Sequence, residues 1–380
     1  MHAERFEKLY RAMGEAPVGQ RLNAIALNPG PTLTYLTGLT FHLMERPTVL
    51  LAAPGTKPAL VLPELEVGKA RSAPVEVDTF SFGDNPATWE EAFFNAVQAM
   101  GLNKISAEGM TGVRVGVEPT RMRFLEMRYL ESAFNRAQFD SAEGVLNQLR
   151  MRKDASEVAA MRQAVKIAQT ALLATLPMIK PGVTERQIAS ELMIQLLKAG
   201  TSPDLPFHPI VSGGPNSADP HASPSDRALQ TGDLLVIDWG AGYGGYISDL
   251  TRTFAIGEIE PEYKRIYELV KLANQAGRDA ARPGITAGQV DAAARKVIED
   301  SGYGQYFFHR VGHGIGMEAH EPPYMYGENP LILEPGMAFT VEPGIYLPGR
   351  NGVRIEDNVV ITENGAETLS DLPRELITLG

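Results

Sequence analysis

An internal repeat in the second half of the chain constrains its fold more than any other sequence feature. The segment Lys180-Pro-Gly-Val-Thr-Glu-Arg-Gln187 returns 102 residues later as Arg282-Pro-Gly-Ile-Thr-Ala-Gly-Gln289. Residues 232–240 and 336–344 then match as well, each with an apolar strand that ends on an acid. A period of about 100 residues is too long for a solenoid. We therefore expect a duplicated helix–helix–strand unit about a pseudo-twofold axis, with a cleft between its halves.

The length of 380 residues predicts two or three domains. Residues 1–138 mix strand and helix patterns without a cluster of catalytic residue types, which indicates an α/β N-terminal domain. Apolar runs at 47–53 and 58–63 flank a turn and predict a hairpin there. Residues 139–380 are assigned to a second, α+β domain that starts with a linker helix at about 139–152.

Composition excludes several classes of function. The chain has no cysteine, so thiol catalysis, disulfides and cysteine-ligated metals are excluded. Its net charge of −11 argues against nucleic-acid or anionic-membrane partners. No apolar run approaches the roughly 20 residues that span a bilayer. The N-terminal residues lack the apolar core of a signal peptide, so we expect a cytoplasmic protein.

Two predicted hairpins each carry a pair of acids. Asp238 ends one apolar strand, and Asp249 lies in the strand-like segment 246–256 after a glycine-rich turn. A turn centred between Tyr243 and Gly244 would place these two acids directly opposite each other. In the second repeat, a turn centred at Gly349 would place Glu342 opposite Glu356.

Four carboxylates in one cleft repel each other unless cations lie between them. His313 lies in Gly312-His-Gly-Ile-Gly316, where the glycines allow a ligand to approach the backbone, and we predict that it joins the four acids. Oxygen-rich sites with one imidazole suit Mn²⁺, Co²⁺ or Zn²⁺ better than Mg²⁺. The residues themselves therefore predict a site for two divalent ions, with Mn²⁺, Co²⁺ and Zn²⁺ as candidates. His208 and His309 are interpreted as structural.

Over most of its length the chain resembles the Xaa-Pro peptidase branch (prolidase and aminopeptidase P) of the creatinase-like "pita-bread" metallopeptidases. The match is strong from about residue 150 to 374 and loose before that. The matching motifs, in the order of the family, are Lys180-Pro-Gly-Val-Thr-Glu185, Ser217-Ala-Asp-Pro-His221, Ile237-Asp-Trp-Gly240, Ser248-Asp-Leu-Thr-Arg-Thr253, Gly312-His-Gly-Ile-Gly316, Val341-Glu-Pro-Gly-Ile-Tyr346 and Val353-Arg-Ile-Glu-Asp357.

The resemblance implies a pita-bread catalytic domain and a set of residue roles. It implies five metal ligands, namely Asp238, Asp249, His313, Glu342 and Glu356. It also implies that His221 and His320 contact the substrate and stabilise the tetrahedral intermediate, that Arg354 holds substrate or a carboxylate, and that Phe207 forms an apolar wall near the proline pocket. A homodimer acting on small peptides with proline at the second position is expected by the same analogy.

Within this family the sequence favours an Xaa-Pro dipeptidase over an aminopeptidase P. His320 follows His313 at an interval of seven residues, without the extra histidine and insert of some aminopeptidases P, and a compact aminopeptidase P is the alternative. Glu342 is the predicted general base, which takes a proton from the attacking water and passes it to the leaving nitrogen.

Two other classes of function were weighed. One is a non-catalytic binding protein of the same fold, which the complete set of ligand types disfavours. The other is a nicotinamide oxidoreductase, because Gly240-Ala-Gly-Tyr-Gly-Gly245 matches the dinucleotide fingerprint. That fingerprint requires a helix after the glycines, whereas residues 246–256 have the β-branched character of a strand.

Overall fold

The computed structural model describes residues 1–17, 20–103, 112–134 and 136–380. The chain divides into two compact units, Met1–Arg150 and Met151–Gly380. This division falls later than the predicted boundary at 138/139, because Gln138–Ser141 is a strand of the first unit's sheet. The helix Glu143–Arg150, which overlaps the predicted linker helix, also belongs to the first unit.

The first unit is an α/β domain, as predicted. Its helices are α1 (His2–Glu15), α2 (Pro31–Thr37), α3 (Val67–Ala70), α4 (Trp89–Ala99), α5 (Phe124–Ala133) and α6 (Glu143–Arg150). Its strands are β1 (Ala24–Leu27), β2 (Val49–Ala52), β3 (Ala59–Pro63), β4 (Asp78–Phe82), β5 (Arg114–Val117) and β6 (Gln138–Ser141). Among the described residues these strands form one mixed sheet in the order β4-β3-β2-β1-β5-β6.

The predicted hairpin in this unit is confirmed. Strands β2 and β3 pair antiparallel, with Val49 opposite Val61. Both strands are buried along their whole length, and their side chains pack with those of α4, where Phe93 is fully buried.

The second unit contains two helix pairs and two main sheets. Its helices are α7 (Ala155–Thr175), α8 (Glu185–Ala199), α9 (Pro261–Ala280) and α10 (Ala287–Asp300). Its strands are β7 (Ile210–Gly213), β8 (Leu234–Trp239), β9 (Gly242–Tyr243), β10 (Tyr246–Ile247), β11 (Leu250–Ile256), β12 (Gly312–Gly314), β13 (Glu321–Met325), β14 (Ala338–Val341), β15 (Gly344–Tyr346), β16 (Gly352–Arg354), β17 (Asp357–Thr362), β18 (Gly365–Thr368) and β19 (Thr378–Leu379).

The two sheets repeat one topology, which confirms the duplication. One sheet has the order β19-β11-β8-β7 and the other the order β13-β12-β14-β17-β18. The antiparallel triplet β7-β8-β11 therefore corresponds to β12-β14-β17. Each half also packs one helix pair, α7 with α8 and α9 with α10.

The repeated Pro-Gly-x-Thr segments form the same local structure twice. Thr184 and Thr286 cap α8 and α10 in capping boxes, each accepting from the backbone N–H of a glutamine three residues later. Both threonines also form isolated bridges, Thr184 with Ala228 and Thr286 with Ile332. The sequence repeat thus encodes a helix start together with its attachment to a segment a few residues before β8 or β14.

The segment after Gly240 excludes the dinucleotide-binding alternative. It forms the two-stranded hairpin of β9 and β10, with Tyr243 opposite Tyr246, instead of a helix. A pyrophosphate group would find no helix N-terminus there. Within the described part of the chain, no helix is long and apolar enough to cross a membrane.

We predict that Thr184→Ala and Thr286→Ala each lower the free energy of unfolding by about 1 kcal/mol, because each removes an acceptor for a helix N-terminal N–H. Thermal unfolding should show a fall of about 2–4 °C in Tm for either variant. The control is Thr170→Ala on the exposed side of α7, whose hydroxyl bonds to the Lys166 carbonyl within the helix. A loss as large as that of the caps in this control would refute the capping explanation.

Candidate metal centre

The first hairpin of the second unit places its two acids on one face but not directly opposite each other. Asp238 pairs with Thr251, and Asp249 lies two residues earlier, in the interruption between β10 and β11. The predicted pairing of Asp238 with Asp249 is therefore wrong by two residues. The cause is the turn, where Gly244 and Gly245 take φ values of 60° and 83° and occupy both central positions. Because side chains alternate with a period of two, a shift of two residues keeps both acids on the same face.

The second hairpin has the predicted register. The β14–β17 ladder ends on the pair Val341 and Asp357, and β15 and β16 continue the same register beyond it. The next position along the ladder therefore places Glu342 opposite Glu356, as the midpoint count predicted.

The two hairpins are joined at the acids. The backbone N–H of Glu356 donates to the carbonyl of Thr251 at 3.1 Å, which makes a β-bridge between the halves. The Thr251 hydroxyl also donates to Oε2 of Glu356 at 2.7 Å. On the other side of the bridge, the side-chain amide of Asn358 donates to the carbonyl of Asp249 at 2.6 Å and accepts from its N–H at 3.1 Å. These contacts hold the acids of both repeats in one place.

His313 joins the same cluster. Asp249, His313 and Glu356 each offer a ligand atom, and these three atoms lie within 4.8 Å of one another. His313 Nε2 is 3.7 Å from Oδ2 of Asp249 and 3.2 Å from Oε1 of Glu342. Its Nδ1 lies 3.2 Å from the carbonyl oxygen of Gly314, and a hydrogen bond there aims Nε2 at the acids.

Burial and mutual repulsion shift the pKa values of the acids. Burial raises the pKa of Asp238, and it raises the pKa of Asp249 and Glu356 well above the ordinary range, where the neighbouring carboxylates add to it. For Glu342, burial acts in the same direction, but the hydrogen bond and charge of His313 outweigh it and lower the pKa to about 2. Without a cation, the protein can keep these groups together only by retaining protons.

Asp238 shows directly that the site fits a metal ion. Its Oδ2 accepts a 2.7 Å bond from Nη2 of Arg354, whereas its buried Oδ1 has no hydrogen-bond partner among the described residues. A buried carboxylate oxygen without a donor is costly. A divalent cation would supply the missing partner, and oxygen donors with one imidazole are the set that Mn²⁺, Co²⁺ and Zn²⁺ accept.

Arg354 is fully engaged behind the acids. Its guanidinium is buried and donates to Asp238, to the hydroxyls of Thr251 and Tyr346, and to the carbonyl of Pro220. Of the two predicted roles, these contacts favour holding a carboxylate over direct contact with substrate.

The predicted substrate residues lie around this cluster. The ring of His320 lies 3.9 Å from that of His313, centroid to centroid. Although His320 is exposed, partial desolvation and the neighbouring His313 lower its pKa to about 4. The charge of the exposed His221 contributes to the same shift. Phe207 is half-buried against the first hairpin, where its ring carbon would lie 3.0 Å from a Cβ at Gly240.

Sequence reasoning missed two residues near the site. His309, interpreted as structural, lies with its Nε2 3.0 Å from the hydroxyl of Tyr346, which accepts from Arg354 at 3.1 Å. Burial lowers the pKa of His309 and raises that of Tyr346 to about 12. For Tyr346, its position four residues after Glu342 was the sequence feature that could have indicated a place near the site. A hydrogen-bonded chain thus runs from His309 through Tyr346 and Arg354 to Asp238.

We predict that the metal-free Glu356→Gln variant becomes more stable relative to the wild type as pH rises. In the folded wild type the pKa of Glu356 lies well above its ordinary value of 4.5, so the folded state keeps a proton that the unfolded state loses as pH rises. The free energy of unfolding of the wild type therefore falls as pH rises above 4.5, and the variant does not show this fall. Thermal unfolding in chelator from about pH 5 to pH 8 measures the difference in Tm. Adding Mn²⁺ should raise the Tm of the wild type more than that of the variant, because only the wild type keeps all the acids. If the difference in Tm between the two proteins did not change with pH, the pKa of Glu356 would not be raised in the folded state.

Comparison with known proteins agrees with this geometry. Residues 159–363 match the model of metallopeptidase family M24, and residues 5–152 match that of the Creatinase/Prolidase N-terminal domain. The chain is 38% identical to the probable dipeptidase PepE of Mycobacterium tuberculosis, over 99% of this chain and 97% of that protein. It is 36% identical to the Xaa-Pro dipeptidase of Lactobacillus helveticus, over 93% of this chain and 94% of that protein.

A solved structure shares the whole fold. The crystal structure of the recombinant prolidase from Thermococcus sibiricus superposes with a TM-score of 0.90 at 32% identity, covering 100% of this chain and 99% of that one. The pita-bread fold expected from the sequence motifs is thereby confirmed. With a family match over more than half of its length and this full-length likeness, the chain belongs to metallopeptidase family M24 and carries the creatinase/prolidase N-terminal domain.

Proposed function

We propose that this protein is a dinuclear metal-dependent exopeptidase that hydrolyses Xaa-Pro dipeptides. The observation that carries the proposal is the buried cluster of four carboxylates and one imidazole, in which Oδ1 of Asp238 has no partner among the described residues. The relatives named as dipeptidases support the preference for dipeptides. The alternative within the family is an aminopeptidase P that releases the first residue of longer Xaa-Pro peptides.

Asp238, Asp249, His313, Glu342 and Glu356 are the residues proposed to hold two divalent ions, with Mn²⁺ or Co²⁺ favoured and Zn²⁺ a further candidate. When bound, such ions polarise the scissile carbonyl and lower the pKa of water so that it attacks at neutral pH.

Glu342 is the proposed general base. With a pKa lowered to about 2, its carboxylate is ionised at neutral pH and can accept a proton at an Oε atom. The hydroxyl of Thr340 lies 3.2 Å from its Oε1 and helps to orient the carboxylate. The proton then passes from Glu342 to the proline nitrogen, which leaves as a secondary amine.

His320 and His221 are proposed to bind the reacting carbonyl group. Because the pKa of His320 is lowered to about 4, its imidazole is neutral at pH 7 and offers one N–H. A neutral donor stabilises a developing oxyanion by hydrogen bonding without competing as a cation for the acids. Arg354 acts one step further back, by fixing the orientation of Asp238.

The preference for proline is proposed to come from shape. The nitrogen of an Xaa-Pro bond has no N–H to recognise, so an apolar wall must select the ring. Phe207 is the proposed wall, since it packs on the hairpin beside Gly240, two residues from Asp238. A homodimer and a cytoplasmic location are further expectations of the proposal.

We predict that chelated protein reconstituted with Mn²⁺ or Co²⁺ cleaves Ala-Pro faster than Ala-Pro-Ala, because a dipeptidase site is closed to longer chains. Release of free proline and free alanine is followed chromatographically, with chelated protein as the control. Faster cleavage of Ala-Pro-Ala would favour the aminopeptidase alternative. Equal activity with and without metal would overturn the metal-dependent mechanism.

We predict that Glu342→Gln lowers kcat by about 10²- to 10⁴-fold, because the amide cannot accept the proton. The matched control is Glu363→Gln, which removes one carboxylate from the exposed turn between β17 and β18. Thermal unfolding of both variants should match the wild type within a few degrees. Near-normal turnover in a folded, metal-loaded Glu342→Gln protein would exclude this residue as the base.

A further inference from the structure

Glu185 is a buried acid that lies outside the metal cluster. It is the first residue of α8 and is fully buried. Its carboxylate accepts hydrogen bonds from Gly213 N–H at 2.8 Å, from the Asn216 side-chain amide at 3.0 and 3.1 Å, and from Ser225 through both the N–H at 2.9 Å and the hydroxyl at 2.5 Å. Charge-assisted hydrogen bonds of this kind are about twice as strong as neutral ones.

These donors lie at the two ends of one loop, residues 216–225. This loop follows β7 and returns to the start of α8, and Glu185 accepts hydrogen bonds from its first and last residues, Asn216 and Ser225. Pro220 and His221 lie between these two ends.

The same loop contacts the second repeat. The N–H of Gly352 donates to the hydroxyl of Ser217 at 2.8 Å, and Arg354 donates to the carbonyl of Pro220 at 3.2 Å. Arg354 in turn holds Oδ2 of Asp238. The loop therefore links Glu185 at its base to Arg354 and, through Arg354, to the carboxylate of Asp238.

The duplication provides an internal comparison for Glu185. Ala287 occupies the corresponding position in the second repeat, directly after the cap Thr286. Helix α10 starts there with the same capping box as α8. A helix of this kind therefore starts without a buried acid at that position, so the carboxylate of Glu185 is not needed for the helix start and instead serves the loop 216–225.

We propose that Glu185 is a positioning residue, whose buried carboxylate closes residues 213–225 into a fixed loop that presents His221 to the metal centre, with the Pro220 carbonyl anchored on Arg354. The kinetic part of this inference rests on the proposed function, because His221 is there a substrate-binding residue. A displacement of about 1 Å in such a group can cost about a hundredfold in rate.

The test uses the full-length, metal-loaded protein and four variants: Glu185→Gln, His221→Ala, the double variant, and Asp226→Asn as the matched control. Asp226 joins the same loop to the same helix through Arg186, but on the exposed surface, where ion pairs contribute little. We expect Glu185→Gln to lower kcat/KM for Ala-Pro by about ten- to a hundredfold with unchanged metal content. The control should stay within about twofold of the wild type.

The double variant separates positioning from a general structural role. If Glu185 acts through His221, adding Glu185→Gln to His221→Ala should lower kcat/KM by less than about twofold. Fully additive losses would overturn the inference. Should Glu185→Gln not fold, Ser225→Ala removes one donor to the carboxylate and should lower kcat/KM in the same direction, again only while His221 is present.

Hydrogen exchange keeps this inference separate from the proposed function. Amides of residues 214–225 should exchange faster in Glu185→Gln than in Asp226→Asn or the wild type, whatever substrate the protein cleaves. Unchanged exchange in this segment would overturn the role of Glu185. If the wild type cleaves no Xaa-Pro peptide, the proposed function fails, and the exchange result alone decides on Glu185.

Discussion

The crowding of carboxylates in the second unit is the constraint on which the rest of the site depends. Asp249 and Glu356 are buried beside two further acids, and burial together with the neighbouring carboxylates raises their pKa values despite the opposing charge of Arg354. Removal of a charge from water is expensive unless a partner is supplied. Arg354 supplies one partner, to Asp238, and leaves the opposite oxygen of that carboxylate unpaired among the described residues. The protein thus carries an electrostatic cost whose natural compensation is cation binding.

The surrounding polar groups orient the acids. Thr251 bonds to Glu356, Asn358 bonds to the backbone of Asp249, and the hydroxyl of Thr340 bonds to Glu342. Each of these partners is itself on a strand, so the positions of the oxygens follow from the sheet register. Partners of this kind are worth about ten- to a hundredfold in metal affinity or activity in other metalloproteins.

The sequence allowed the duplication, the residues of the acid cluster and the family to be predicted, because repeats and motif order are visible without coordinates. The register was predictable for Glu342 and Glu356, where a long turn has its midpoint at Gly349. It was not predictable for Asp238 and Asp249, since Gly240, Gly242, Gly244 and Gly245 allow the turn to be centred at more than one position. The contacts of His309 and Tyr346 depend on packing between segments far apart in sequence, as does the role of Glu185. The strand Gln138–Ser141, which completes the first sheet, lies across the predicted boundary, and the two compact units divide after Arg150.

The bridge between Thr251 and Glu356 joins two repeats that must act together to build the acid cluster. One repeat supplies Asp238 and Asp249, and the other supplies His313, Glu342 and Glu356, so neither repeat holds a full set. Before gene duplication, a single-copy ancestor would have assembled such a centre only where two chains met. The two copies are no longer equivalent, since the buried acid that Glu185 provides in the first repeat is Ala287 in the second.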